Sequence, residues 1–320
     1  MRALDPDREQ SRERLLVGIP SFRRPEGLRR LLASLAEQQG VDDVELEVFV
    51  ADNDAVGRDA LAVCKTVEEC FRWPLACSVV QEPGISAARN AILDRARARA
   101  ADYVAMIDDD EEADPDWLRE LLSMQRATGA DVVGGPVDYL FDRPASPTIR
   151  SCDAFKPRQW PAGRVAAIDA TGNVLLSCAA LNRGGWPQFD RAFGLTGGED
   201  KDYFCRLTKA GAIFAWAPAA RAREHVPASR TTVKSLLRRA YRIGNNDMRI
   251  TRLHGGTVPI LRSLGKALVL LGSAPLASPI LALPSHRLWL LRKWSRSAGK
   301  LSALFGKQYR EYDRFRQIGG

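Results

Sequence analysis

The stretch Tyr103-Val104-Ala105-Met106-Ile107-Asp108-Asp109-Asp110-Glu111-Glu112 decides how the rest of the chain is read. Its first half is an unbroken apolar run of strand length, as in a strand buried on both faces. Its second half is five adjacent carboxylates at the mouth of that strand. Like charges this close repel, so the arrangement costs stability unless a cation neutralises it. Pro115-Asp116-Trp117-Leu118 then opens a helix. Asp108 and Asp110 flank one residue, so in an extended chain both point to the same side and reach one ligand and its metal together. A hard divalent cation on one or two carboxylates, its shell completed by phosphate oxygens, is the usual way to bind a diphosphate. The plainer alternative is an acidic loop that caps the next helix, where negative charge is favourable.

Outward from this strand, the first 140 residues alternate short apolar runs with amphipathic stretches. Strands are expected at residues 15–20, 46–51, 75–81, 103–107 and 131–139. Helices are expected at 25–38, 59–71, 85–100 and 115–128. This alternation predicts an α/β fold with a mainly parallel sheet covered by helices on both faces. Ligands of such sheets gather beyond the carboxyl ends of the strands, where Ser21, Asp52, Glu82 and residues 108–110 would lie. Residues 140–170 contain Pro144, Pro147, Pro157 and Pro161 and read as a long loop crossing the site. Further strands are expected at 174–181 and 213–217, with a helix at 199–210 and a basic helix at 232–250.

A second motif, Gly197-Gly198-Glu199-Asp200, enters the 199–210 helix. Two glycines allow a tight turn, and the acids sit at the positive end of the helix. The reading is either an N-cap or a general base placed to deprotonate an incoming hydroxyl.

The 320 residues suffice for a sizeable core, and 45% hydrophobic with 27% charged is an ordinary globular composition. The polar, charged N-terminus does not read as a signal peptide. Six cysteines without a C-x-x-C pair read as reduced, mostly buried thiols of a cytosolic protein. The net charge of +8 is unevenly spread: residues 1–220 carry 27 Lys and Arg against 35 Asp and Glu, residues 221–320 carry 20 against 4. A basic tail of this kind faces an anionic surface, nucleic acid or membrane. Residues 267–286 hold no formal charge, but Pro275, Pro279 and Pro284 argue against one straight span. They read as a re-entrant or interfacial hairpin or as a buried helical pair. Leu288, Leu291, Trp294, Ala298, Leu301 and Phe305 follow at helical spacing among cations, which suits a membrane surface or packing on the catalytic domain.

These motifs together resemble the glycosyltransferase family 2 pattern on the GT-A fold, over about residues 14–255. They are Gly18-Ile19-Pro20-Ser21-Phe22-Arg23-Arg24-Pro25, Ala51-Asp52-Asn53-Asp54, Gly84-Ile85-Ser86-Ala87-Ala88-Arg89-Asn90, the acidic run through Leu118, and Gly198-Glu199-Asp200. The likeness extends to bacterial exopolysaccharide glycosyltransferases of the succinoglycan type. The resemblance implies a GT-A, Rossmann-like, mainly parallel mixed sheet flanked by helices, preceded by a tail over 1–13. A helical, membrane-associating extension over 256–320 follows.

The resemblance also implies roles. Pro20 and Ser21 would lie beside the nucleotide, Asp52 would recognise base or ribose, and Arg89 and Asn90 would contact the base. Asp108 would touch ribose, with Asp109 beside it among the donor-binding residues, and Asp110 would ligate Mg2+ or Mn2+. Many relatives have Asp-X-Asp-Asp where this chain has Asp-Asp-Asp-Glu, so the pattern assigns no definite role to Asp109 or Glu111. Asp200 would be the catalytic base, and Glu199 would orient sugar or acceptor. His225 stands where some GT-A enzymes supply a third metal contact, although a lone histidine is often merely structural. Arg238, Arg239 and Arg242 could neutralise a leaving diphosphate, or form a solvated or lipid-facing helix.

The implied activity is metal-dependent, inverting transfer from a nucleotide-sugar, a UDP-sugar foremost, to a saccharide or polyprenyl-diphosphate-linked acceptor at the inner face of the cytoplasmic membrane. A nucleotidyltransferase would use a similar sheet and metal, but with a Gly-rich loop after the first strand, where this chain has Pro20-Ser21-Phe22-Arg23-Arg24-Pro25. A nucleic-acid-binding protein is disfavoured, because the cations are not interleaved with stacking aromatics and the acidic run would repel phosphate.

Overall fold

All five residues of the apolar run 103–107 are buried at the centre of a mixed sheet in the computed structural model, which describes residues 12–282 and 284–309. Apart from residues 12 and 13, the expected N-terminal tail lies outside the described residues. The main sheet comprises β1 (Glu13–Ser21), β2 (Val44–Asp52), β3 (Leu75–Val79), β4 (Tyr103–Ile107), β6 (Val132–Gly134), β8 (Gly163–Val165), β9 (Asn173–Ser177) and β10 (Phe214–Trp216). Its order is β3-β2-β1-β4-β9-β6-β10-β8. β3, β2, β1 and β4 run parallel, whereas β9 lies antiparallel to both β4 and β6. A second sheet of β5 (Glu111–Ala113), β11 (Ala222–Val226) and β7 (Val137–Phe141) has the order β5-β11-β7.

Helix α1 (Pro25–Ala36) buries Leu28, Leu31, Leu32 and Leu35, its i, i+3, i+4, i+7 stripe, against one face of the sheet. α2 (Asp59–Val67) and α4 (Trp117–Thr128) share that core. The other face is covered by α3 (Ile85–Ala98), α6 (Cys178–Arg183) and α7 (Glu199–Lys209). The six cysteines are free thiols; Cys64, Cys152 and Cys178 are buried, whereas Cys70 is exposed.

Three segments depart from the expected pattern. Residues 131–139 form two strands in different sheets, because Pro136 offers no N–H for a ladder and so ends the first. The apolar run 174–181 changes from β9 to α6 after Ser177, a switch that periodicity cannot reveal in so short a run. The expected loop 140–170 carries α5 (Pro147–Arg150), a 3-10 turn and edge strand β8, and Ile149, Cys152 and Phe155 pack against Val226 and Leu236.

The C-terminal part is helical: α8 (Val233–His254), α9 (Thr257–Gly272), α10 (Ala274–Ala277) and α11 (Pro284–Leu304). No helix among the described residues is long and apolar enough to cross a membrane. The uncharged stretch 267–286 is divided among the end of α9, α10, a 3-10 turn and the start of α11. α11 lies along α8, with Leu288, Leu290, Ser297 and Ala303 buried and Ser295 Oγ donating to the Leu237 carbonyl at 2.7 Å. The two backbones touch at glycines: a Cβ on Gly244 would overlap the Arg296 carbonyl oxygen, and one on Gly299 would overlap that of Tyr241.

Gly299→Ala is therefore expected to lower stability by about 1–3 kcal/mol, because neither backbone can yield. Gly265→Ala in α9 meets nothing within 4 Å, so it should be neutral or stabilising by about 0.5–1 kcal/mol. Urea denaturation of both variants checks the contrast.

Candidate active site

The acidic run is not extended. The Glu111 N–H donates to the Asp108 carbonyl at 3.1 Å, closing a turn at the end of β4. Strand alternation therefore does not apply across 108–110, and each acid finds its own partner.

Asp109 turns inward. Its Oδ2 accepts from Ser21 Oγ at 2.9 Å and from the Phe22 N–H at 3.0 Å, and its Oδ1 meets Arg24 Nη1 at 2.8 Å. Burial nevertheless raises its pKa to about 6, against the lowering effect of Arg24. Asp110 Oδ2 receives Arg24 Nη1 at 2.8 Å and Arg230 Nη1 at 3.1 Å. Asp108 Oδ1 pairs with Arg89 Nη2 at 3.1 Å.

Glu111 is buried in β5 directly opposite Glu224 of β11. Burial, then the charges of Asp108, Asp110 and Glu224, push its pKa well above the usual carboxylate range. Burial raises Glu224 as well, while Arg230 and Arg239 oppose the rise. Four carboxyl groups thus converge here: Asp108, Asp110, Glu111 and Glu224.

The second motif reaches this point from the opposite side. Gly197 and Gly198 adopt φ of +73° and +90°, a left-handed turn that glycine enters without steric cost. This turn delivers Glu199 to Arg89, whose guanidinium holds Glu199 on one side and Asp108 on the other. The acidic run and the Gly-Glu-Asp turn therefore meet through one buried arginine. Burial raises the Glu199 pKa to about 7 although Arg89 opposes the rise. Its Oε2 is buried with no hydrogen-bond partner among the described residues.

Asp200 is half-buried beside it, with Oδ1 accepting the Lys201 N–H at 2.7 Å. Burial raises its pKa, with Arg89 opposing and Asp169 and Asp108 reinforcing. The first turn of α7 is also clamped from α8. Lys201 Nζ meets Asp247 Oδ1 at 2.5 Å, and His254 Nε2 lies 2.7 Å from Asp202 Oδ1. Asp247 Oδ2 also receives Arg296 Nε of α11 at 3.0 Å.

The remaining expected residues are placed less directly. Pro20 lies in β1 opposite Ala51 of β2. Asp52 is fully buried, and its two oxygens accept the N–H groups of Asp54 and Leu61, both at 3.0 Å. Asn90 makes a double hydrogen bond with the backbone of Phe189, at 2.7 and 3.0 Å. His225 turns to the other face of β11 from Glu224; its Nε2 lies 2.6 Å from Glu112 and its Nδ1 3.7 Å from Asp142. The structure does not bring its ring to Asp110. Of the α8 arginines, Arg239 interacts with Tyr139 and Glu224, Arg242 lies against Gly197, and Arg238 lines a groove with Val233 and Tyr241.

Sequence reasoning missed Glu224, Arg230 and Arg24. Glu224 immediately precedes His225, and period-2 alternation would have put the two on opposite faces once residues 222–226 were read as a strand.

Oxygen donors of Asp108 and Asp110 suit a hard divalent cation. Among the described residues no group of three or more His, Cys, Asp or Glu side chains is arranged to hold an ion alone. A cation here would draw further ligands from phosphate oxygens and water, as Mg2+ usually does.

The raised pKa of Glu199 has a consequence for stability. Between its ordinary 4.5 and about 7, the folded protein holds a proton that the unfolded chain has released. Raising the pH across that window therefore removes stability. Glu199→Gln should lose less stability than the parent between pH 5 and pH 7.5, read by urea denaturation at both values.

The profile of Glycosyl transferase family 2 matches residues 16–183, and that of Glycosyl transferase family group 2 matches residues 103–294. The succinoglycan biosynthesis protein ExoM of Rhizobium meliloti (strain 1021) is 34% identical over 242 residues, 75% of this chain and 76% of its own length. The mannosyltransferase PcManGT of Pyrobaculum calidifontis, solved with GDP-Man and Mn2+, shares the fold with a TM-score of 0.64 at 18% identity, covering 93% of this chain and 89% of that one. TarS 1-349 of S. aureus, solved with UDP, does so with a TM-score of 0.53 at 15% identity, covering 93% of each chain. A buried arginine joining an acidic strand end to a Gly-Glu-Asp turn, on this sheet order, thus accompanies a family match over more than half of the chain, and the protein belongs to glycosyltransferase family 2.

Proposed function

We propose that this enzyme transfers a sugar from a nucleotide-diphospho-sugar, a UDP-sugar foremost, to a hydroxyl of a saccharide carried on a polyprenyl diphosphate. The setting proposed is exopolysaccharide synthesis at the inner face of the cytoplasmic membrane. The observation that carries the reading is the meeting of Asp108 with Glu199 and Asp200 around Arg89. It puts an oxygen-rich, cation-compatible corner beside a half-buried carboxylate of raised basicity, as displacement of a diphosphate by a hydroxyl requires. The relative named for succinoglycan biosynthesis supports the pathway class. The neighbours solved with UDP and with GDP-Man and Mn2+ support the donor class and the metal.

In this reading the donor lies across the ends of β1, β2 and β4, beside Pro20 and Ser21. Asp108 faces its ribose, and Asp110 with Asp108 would hold Mg2+ or Mn2+. A cation held there would supply positive charge to the departing diphosphate. Asp52, Asn90 and Asp109 act through what they hold: the 52–61 loop, the Phe189 segment, and Ser21 with Arg24. Glu199 orients sugar or acceptor with Oε2. Asp200 takes the proton of the acceptor hydroxyl, whose oxygen bonds to the anomeric carbon. The bond from that carbon to the phosphate oxygen breaks, and its electron pair leaves with the nucleoside diphosphate. One displacement inverts the anomeric centre. Arg239 and Arg242 add positive potential from α8.

Asp200→Asn is expected to bind donor normally while turnover falls about 10^2–10^4-fold. Nucleotide titration calorimetry beside an assay of nucleoside diphosphate release checks this, and near-normal turnover would remove Asp200 from the role of base. Asp110→Asn should abolish the extra thermal stabilisation that Mn2+ adds to a bound nucleotide-sugar, as seen in a thermal-shift series with and without the metal. Pyrophosphate instead of nucleoside diphosphate as product would reject transferase chemistry for nucleotidyl transfer.

A further inference from the structure

Helix α9 is apolar on its outer side as well as its inner one, where Ile260, Leu264 and Leu271 are partly buried. Val258, Leu261, Leu268 and Val269 are 58–73% exposed, whereas the side turned to the protein buries Ala267. Positions 258, 261, 265, 268, 269 and 272 recur every three or four residues and share one face of the helix. Gly265 and Gly272 complete that stripe, and a Cβ at either would meet nothing within 4 Å. Exposed Arg262 and Lys266 border it along one side. Leu276, just beyond α9, is 86% exposed. A helix on a water-facing surface carries polar residues on its outer side, so this apolar stripe is an interaction face.

Charge identifies the occupant. Residues 248–309 contain ten Lys and Arg and no Asp or Glu. A second copy of the chain would bring two such cationic surfaces together, which repulsion opposes. Nucleic acid would find aliphatic side chains in place of stacking aromatics on the stripe. An anionic lipid surface satisfies both features, with headgroups for the cations and an acyl boundary for the aliphatic stripe. α11, the more evident amphipathic candidate in the sequence, is occupied with α8 and leaves this role to α9.

Resting on the membrane-borne acceptor proposed above, we propose that α9 is an interfacial docking helix. It lies in the plane of an anionic leaflet with Val258, Leu261, Leu268 and Val269 toward the acyl chains and Arg262 and Lys266 at the phosphates. The docking is peripheral and reversible, and it depends on salt.

The test is co-sedimentation of the full chain with phosphatidylglycerol–phosphatidylethanolamine vesicles and with pure phosphatidylcholine vesicles. The parent should bind the anionic vesicles and release them at high salt. Leu261→Asp with Val269→Asp, and separately Arg262→Glu with Lys266→Glu, should each lower the partition coefficient by about tenfold or more. All these residues are exposed, so circular dichroism and release of nucleoside diphosphate from free donor should stay at parental values. Variants that sediment like the parent would overturn the assignment of α9 while leaving the membrane-bound acceptor standing. A parent that ignores anionic vesicles would overturn the docking proposal, with the acceptor judged separately by sugar transfer to a polyprenyl-diphosphate saccharide and the catalytic assignment by Asp200→Asn. Loss of a dimer on size exclusion, with vesicle binding unchanged, would give the face to a second copy and overturn the proposal.

Discussion

Arg89 is nearly fully buried, and a guanidinium cannot relieve its burial by losing a proton. It must be paired where it stands, and its partners come from chain segments some 90 residues apart. Asp108 ends a central strand and Glu199 starts a helix, so one cation sets the distance between the two halves of the site. Its neighbour Asn90 fixes the backbone of Phe189, upstream of the glycine turn. A single turn of α3 thus holds both the charge and the chain that approaches it. The pairing is not complete compensation: Glu199 remains raised to about 7, so burial outweighs the attraction of its partner.

The five consecutive acids illustrate how differently neighbouring carboxylates can be accommodated. Asp109 is absorbed by the β1 end and Asp110 by two arginines. Glu111 is buried opposite another carboxylate, which favours its protonated form. Glu112 goes to the far side with His225 and Arg30. Only Asp108 and Asp110 keep a carboxylate at the junction with neither full burial nor a purely local partner. The two arginines that hold Asp110, Arg24 and Arg230, are partly exposed, whereas Arg89 on Asp108 is buried.

Much of this was legible beforehand. Strong period-3.6 and apolar signals announced α1, α3, α4 and the parallel strands, because each buries one continuous face in one core. The order of motifs announced the family. What escaped were features that depend on contacts distant in sequence. The split at Pro136 separates strands of two sheets, and the switch at Ser177 turns a strand into a helix. The pairing of Glu224 with Glu111 follows from strand register across more than 100 residues. The motif pattern marked Asp52 and Asn90, but not that their polar atoms are spent on the backbone. The C-terminal helices carried two possible meanings in sequence, and packing divided them: α11 became part of the folded body, and α9 kept its apolar side outward.

Asp247 belongs to both regions at once, accepting Lys201 beside the glycine turn and Arg296 from α11. The family pattern would separate the chain near residue 255, where the catalytic part gives way to the extension. Electrostatically there is no such seam. A chain ending there would leave Asp247 one cation short and open the glycine face of α8 to water, one residue-pair from the proposed base. The extension is therefore poorly suited to being exchanged among relatives as an interchangeable anchor, and sequence drift in α11 would be felt in the geometry of a carboxylate it never touches.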